Sequence, residues 1–163
     1  MLSVIAGALI FAALTYSGFI VKGQYSARLD TLQHLHDFVI YMSREVSLYK
    51  TPVTNVIANY LSLKPGKKDN LLIKFIELKI RDYPSIYKLS DYVYLKKNDR
   101  RIITELFMNL GRGDYREEQK NLERFTLELE TIRQDAFSMK DREGRLYQRL
   151  LSLLGFALMI IVV

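Results

Sequence analysis

Asn109-Leu-Gly-Arg-Gly-Asp-Tyr-Arg-Glu-Glu-Gln-Lys-Asn-Leu-Glu-Arg-Phe125 contains the only Gly-x-Gly of the chain. Three readings compete for it. Arg112-Gly113-Asp114 spells an adhesion tripeptide. Two glycines ahead of a helix can cradle phosphate. Or one helix simply stops here and another starts. A phosphate loop needs a preceding strand and a Gly-Lys-Ser/Thr ending, and this stretch continues with acids that would repel phosphate. Gly111, after the last apolar residue Leu110, suits the left-handed position that closes a helix. Asp114 suits an N-cap, with Glu117 at capping-box spacing, and Asp114, Glu117 and Glu118 favour the positive end of the new helix dipole. The stretch is therefore expected to be a tight corner between two antiparallel helices.

The corner opens the longest pattern in the chain. Leu122, Phe125, Leu129, Ile132, Ala136, Met139, Glu143, Leu146, Leu150 and Leu153 step by three or four throughout, with Glu143 the one polar member. That spacing predicts one helical seam from Asp114 to the end, about 73 Å long. Upstream, Tyr25, Leu29, Leu32, Leu35, Val39, Met42, Val46 and Tyr49 form a second such stripe. Thr51 is expected to cap a short helix with Pro52 in its first position, burying Val53, Val56, Ile57, Tyr60 and Leu61. Lys64–Asn70 reads as a loop. Helices are expected over about 71–81 and 85–94, and Asn98 or Asp99 is expected to cap another that buries Ile102, Ile103, Leu106, Phe107 and Leu110. Period-2 alternation is absent. The fold class is all-α: an antiparallel bundle of about six helices whose first and last helices extend into the membrane as two transmembrane spans.

Charge placement separates the segments. The 163 residues carry 24 Lys and Arg against 18 Asp and Glu, and every one lies between Lys22 and Arg149. Residues 1–21 would span about 31 Å as a helix, which matches a hydrocarbon core. A signal peptide needs positive charge ahead of the apolar run, and here it follows. Residues 150–163 reach about 21 Å, or about 27 Å counted from Leu146 with Arg149 snorkelling. A short apolar helix packed in a soluble core is the rival reading of that end. The expected domains are a transmembrane helix (1–21), a cytoplasmic bundle (22–149) and a short second transmembrane helix (150–163). Lys22 and Arg28 flank the first span, and Lys140, Arg142, Arg145 and Arg149 flank the second. The positive-inside rule places the bundle in the cytoplasm, and these six side chains are candidates for the membrane surface. Ser3 to Gly7 and Ala8 to Ala12 have the small-residue spacing with which spans pack into a homo-oligomer.

Chemistry is sparse. No cysteine is present, so disulfides, Cys-based zinc sites and thiol nucleophiles are excluded. His34 and His36 point about 200° apart on a helix and cannot share a metal. Tyr83, Tyr87, Tyr92 and Tyr94 alternate with lysines but do not share a helix face with them, so base stacking is disfavoured. No catalytic constellation and no cofactor motif emerges, and the protein is expected not to be an enzyme. A membrane-anchored enzyme working at headgroup level and a basic nucleic-acid-binding module stay as alternatives. The latter is disfavoured by interspersed Asp and Glu.

Glu45-Val46, Tyr49 and Thr51-Pro52-Val53, then Leu110-Gly111, Asp114 and Gln119, carry a resemblance. With a span at each end, the chain resembles the stage III sporulation protein AB family of endospore-forming bacteria. The resemblance implies a helical domain similar to the cytoplasmic domain of inner-membrane platform proteins in type II secretion. It implies a non-enzymatic platform in a secretion-like channel complex, in the mother-cell membrane around the forespore. It also implies that the domain receives a secretion-type ATPase, stage III sporulation protein AA. Glu45, Tyr49, Thr51, Pro52, Gly111, Asp114 and Gln119 are then candidates either for fixing helix ends or for touching a partner.

Overall fold

The computed structural model describes residues 2–63 and 92–162, and among these all regular structure is helical. In chain order the elements are α1 (Leu2–Tyr49), α2 (Val53–Leu63), α3 (Lys97–Asn109), α4 (Tyr115–Met139), a π-helical turn (Lys140–Gly144) and α5 (Arg145–Val162). The loop expected at 64–70, the helix expected at 71–81 and most of that expected at 85–94 lie outside the described residues. Tyr92–Leu95 form a turn rather than the end of that last helix, and Val93 within it is exposed. The chain divides into two compact units, 30–134 and 1–29 with 135–163.

The unit of residues 30–134 has an apolar core. Leu32, Leu35, Val39, Met42 and Val46 of the expected α1 stripe are buried in it. They meet Val56, Ile57 and Tyr60 of α2, Ile102, Ile103, Leu106 and Phe107 of α3, and Leu122, Phe125, Leu129 and Ile132 of α4. Phe38, beside the stripe, is fully buried too, because a core-facing helix presents a face wider than a single line of side chains. Its ring meets Tyr60 edge-on at 5.0 Å and stacks with Phe107 at 6.5 Å. Burying such a ring contributes roughly 1.5–3 kcal/mol.

Helix ends in this unit differ from expectation in two places. α1 stops at Tyr49 because the residue before a proline, Thr51, is kept out of the helical region. Lys50 turns the corner with φ of 52°, and its N–H still donates to the Val46 carbonyl. Tyr49, placed on the inward stripe by spacing, is thereby left exposed. α2 begins one residue later than expected. The Pro52 carbonyl accepts the first bonds, from the Asn55 and Val56 N–H groups, so Pro52 rather than Thr51 takes the N-cap position. α3 begins at Lys97, ahead of both expected caps. Asp99 acts from its third position, accepting from the Lys96 N–H at 2.9 Å.

The other unit is an antiparallel helical hairpin. The first part of α1 packs on the end of α4, the π turn and α5 through glycines. A Cβ on Gly18 would lie 3.4 Å from the Gln148 backbone, and one on Gly155 would lie 3.3 Å from Leu14 and Phe11. Polar rungs continue the pairing. Lys22 donates to Gln148 Oε1 at 3.0 Å, Tyr25 to Glu143 Oε2 at 3.1 Å, and Arg28 to Asp135 Oδ2 at 2.9 Å.

The π turn corrects the single unbroken seam. It holds one more residue per turn than an α-helix, so the face beyond it is set back by one position. Ala136 and Met139 precede it on the inner side. From its last residue onward the inward positions are Gly144, Gln148, Leu151, Gly155 and Met159, whereas Leu146, Leu150 and Leu153, expected on the seam, are exposed.

Candidate functional site

A groove of about 820 Å³ opens in the unit of residues 30–134, where α1 ends, α2 begins and α3 turns into α4. Val46, Pro52, Val53, Ile57 and Leu110 supply its apolar lining, and Lys50, Arg112, Asp114 and Glu118 its charges. The corner at 110–115 forms one wall.

That corner is a capped turn. Gly111 has φ of +73°, the left-handed conformation expected of it. The Leu110 N–H still donates to Leu106, and the Arg112 N–H donates to Asn109. Asp114 Oδ1 accepts from the Glu117 N–H at 2.8 Å, as an N-cap should. The reciprocal arm differs from a capping box. Glu118, not Glu117, reaches back, and both its oxygens accept from the Gly111 N–H at 3.0 and 3.1 Å. Glu118 is 4% exposed, so this charge-assisted bond holds the two helix ends together from inside. Tyr115 ties the same corner to α1, its hydroxyl donating to the Ser47 carbonyl at 3.0 Å.

The structure thus brings Thr51, Pro52, Gly111 and Asp114 together around one groove. Glu45, Tyr49 and Gln119 do not line it. Tyr49 is exposed, and half-buried Gln119 donates to Glu123 along the helix surface at 3.2 Å. Lys50, Tyr115 and Glu118 line the groove and were not singled out by the sequence. The one advance signal was for Glu118, an acid in the first turn of α4.

The six membrane-surface candidates part company. Arg28 is 3% exposed, and its guanidinium donates to Asp135 and to Met139 Sδ, so it is a buried link inside the hairpin rather than a headgroup contact. Lys22, Arg145 and Arg149 line a second concavity with Gln148, Ser152 and Leu153. Lys140 and Arg142 lie outside it.

Among the described residues no group of three or more His, Asp or Glu is placed to hold a metal. His36 Nε2 lies 3.3 Å from Glu130 Oε2. Glu130 also accepts from Arg133 and Gln134, and these bonds, the Arg133 one first, hold its pKa down at about 2 against an ordinary 4.5. Tyr92 and Tyr94 pack edge to face at 5.9 Å, and the Tyr94 hydroxyl lies 3.3 Å from Thr31 Oγ1. Tyr83 and Tyr87 lie outside the described residues.

Two helical stretches, within Ile5–Tyr49 and Tyr115–Ile161, are long and apolar enough to cross a membrane, and only 11% of each apolar window is buried. So little burial separates them from the core helix of a soluble domain, whose apolar face would be covered. These features are those of an all-α membrane protein. A family model, that of stage III sporulation protein AB, matches residues 3–163, and the chain belongs to that family of sporulation proteins. No curated protein and no solved structure matches it.

Proposed function

We propose that this protein is a non-enzymatic platform of a secretion-like channel complex between mother cell and forespore. Its spans sit in the mother-cell membrane around the forespore, and its bundle faces the cytoplasm. The groove at the α1–α2 and α3–α4 corners receives a secretion-type ATPase of the stage III sporulation protein AA kind. One observation carries this reading. Thr51-Pro52-Val53 and Leu110-Gly111 with Asp114, which carry the family resemblance, come together from about sixty residues apart in sequence onto a single groove. Helix capping alone accounts for Asp114 and Gly111 separately, but it gives no reason for the two corners to share an open surface.

Capture of the ATPase by the full-length protein in detergent tests it. Reversing both cations of the groove, Lys50→Glu with Arg112→Glu, is expected to weaken capture at least tenfold, roughly 1.4 kcal/mol or more, with an unchanged melting temperature. Capture that survives the double reversal would move the partner elsewhere on the bundle. A wild-type protein that captures nothing would sink the platform reading.

A further inference from the structure

We propose that the cleft lined by Lys22, Arg145, Gln148, Arg149, Ser152 and Leu153 is a binding site for the phosphate headgroup of an anionic phospholipid. The proposal is independent of the ATPase reading. The cleft is an open concavity of about 600 Å³, and three of its six lining side chains are cationic while none is acidic. Its cations come from two chain segments more than a hundred residues apart, so the fold gathers them; no single basic run does.

Each cation has capacity left for a ligand. Lys22 donates to Gln148 Oε1 at 3.0 Å, and an ammonium has three protons to give. That bond also fixes the Gln148 amide, whose N–H₂ remains a donor. Arg145 pairs with Asp141 one turn back, both half-exposed, and a guanidinium carries five N–H groups. Arg149 is exposed, and no ion pair holds it among the described residues. Ser152 adds a hydroxyl. Planar guanidinium forks beside an ammonium suit the oxygens of a phosphodiester.

The surroundings select a lipid over a dissolved anion. Leu153 forms the apolar end of the cleft, and Leu150, Leu153 and Leu154 are exposed beside it. The uncharged run begins at Leu150, one residue past Arg149. A phosphate held by Lys22, Arg145 and Arg149 would therefore have its acyl chains against leucine side chains. Basic clefts between spans at the edge of the hydrocarbon layer are suited to this use.

The full-length protein would be placed in nanodiscs of phosphatidylcholine with an increasing share of phosphatidylglycerol, and retained lipid counted by native mass spectrometry. Wild type is expected to retain phosphatidylglycerol. Arg145→Gln with Arg149→Gln is expected to weaken retention about tenfold or more, and Arg149→Lys to keep most of it. Lys140→Gln with Arg142→Gln removes the same charge outside the cleft and is expected to change retention less than about twofold. Equal loss in both double variants would reduce the effect to diffuse surface charge and overturn the site. Displacement of the lipid by millimolar inorganic phosphate would overturn the lipid assignment, as would a wild type that retains no anionic lipid. Melting curves in the same discs separate lost binding from lost folding.

Discussion

A side chain at a helix end is valued by the backbone groups it satisfies, and the 109–118 corner has two such side chains of different weight. Asp114 is exposed, and its single bond to the Glu117 N–H is an ordinary cap, so Asp114→Ala is expected to cost about 1 kcal/mol in chemical denaturation. Glu118 is buried and charged, and Glu118→Ala leaves the Gly111 N–H bare, so about 1.5–3 kcal/mol is expected. An Asp114 variant that loses more than the Glu118 variant would reverse that ranking. Glu130 carries a pH signature. Its folded pKa of about 2 lies below the ordinary 4.5, so the folded state binds its proton less readily than the unfolded chain. Its contribution is full above about 4.5 and is lost as pH falls from there towards 2. Glu130→Gln is expected to flatten that part of the stability–pH curve and to leave the neutral limb's slope unchanged. The Asp114 cap and the Gly111 conformation were legible in sequence because both are set by neighbours within four residues. The Glu118 bond and the exposure of Tyr49 were not. One depends on where a neighbouring helix end lies, the other on how the chain turns at Lys50 just after Tyr49, the last residue of both stripe and helix.

A helix that must bury two faces in sequence needs a way to change register, and the π turn at 140–144 is that device in the second long helix. An unbroken α-helix would carry Leu146, Leu150 and Leu153 inward. The extra residue puts Gly144, Gln148 and Gly155 there, and the helices approach most closely at Gly155 and where Gly18 of α1 meets the Gln148 backbone. Deleting Arg142 from the π turn is expected to convert it to α-helix while keeping Gly155 against Phe11 and Leu14. The melting temperature in detergent should then hold or rise. Deleting Thr131, in regular α-helix, turns every later residue by about 100° and is expected to cost several kcal/mol. Equal losses from the two deletions would count against the π turn as a register device. Heptad spacing favoured the unbroken face because Leu146, Leu150 and Leu153 are all apolar, whereas the observed face carries Gln148 and two glycines.

For the molecule as a whole, the hairpin of spans rests on glycine contacts rather than on hydrophobic burial, since lipid is as apolar as leucine. Gly155→Leu is expected to lose about 1–3 kcal/mol to overpacking against Phe11 and Leu14. Gly23→Ala, where an added Cβ meets nothing within 4 Å, is expected to be neutral or to gain a few tenths through helix propensity. Melting of both variants in one detergent provides the comparison. A Gly155→Leu protein as stable as wild type would mean the spans do not pack through that glycine.

Local rules determined the helical class, the charge-free ends and the caps at Gly111 and Asp114. They are written in hydrophobic period, charge placement and short-range hydrogen bonding, all properties of neighbouring residues. Only the tertiary structure decided that Thr51-Pro52-Val53 shares a groove with Leu110-Gly111 and Asp114. Only it sent Arg28 inward to Asp135 while gathering Lys22, Arg145 and Arg149 around one cleft. Those outcomes depend on which helix segments come together across about sixty residues at the groove and more than a hundred in the hairpin, and periodicity along one helix carries no information about its neighbour.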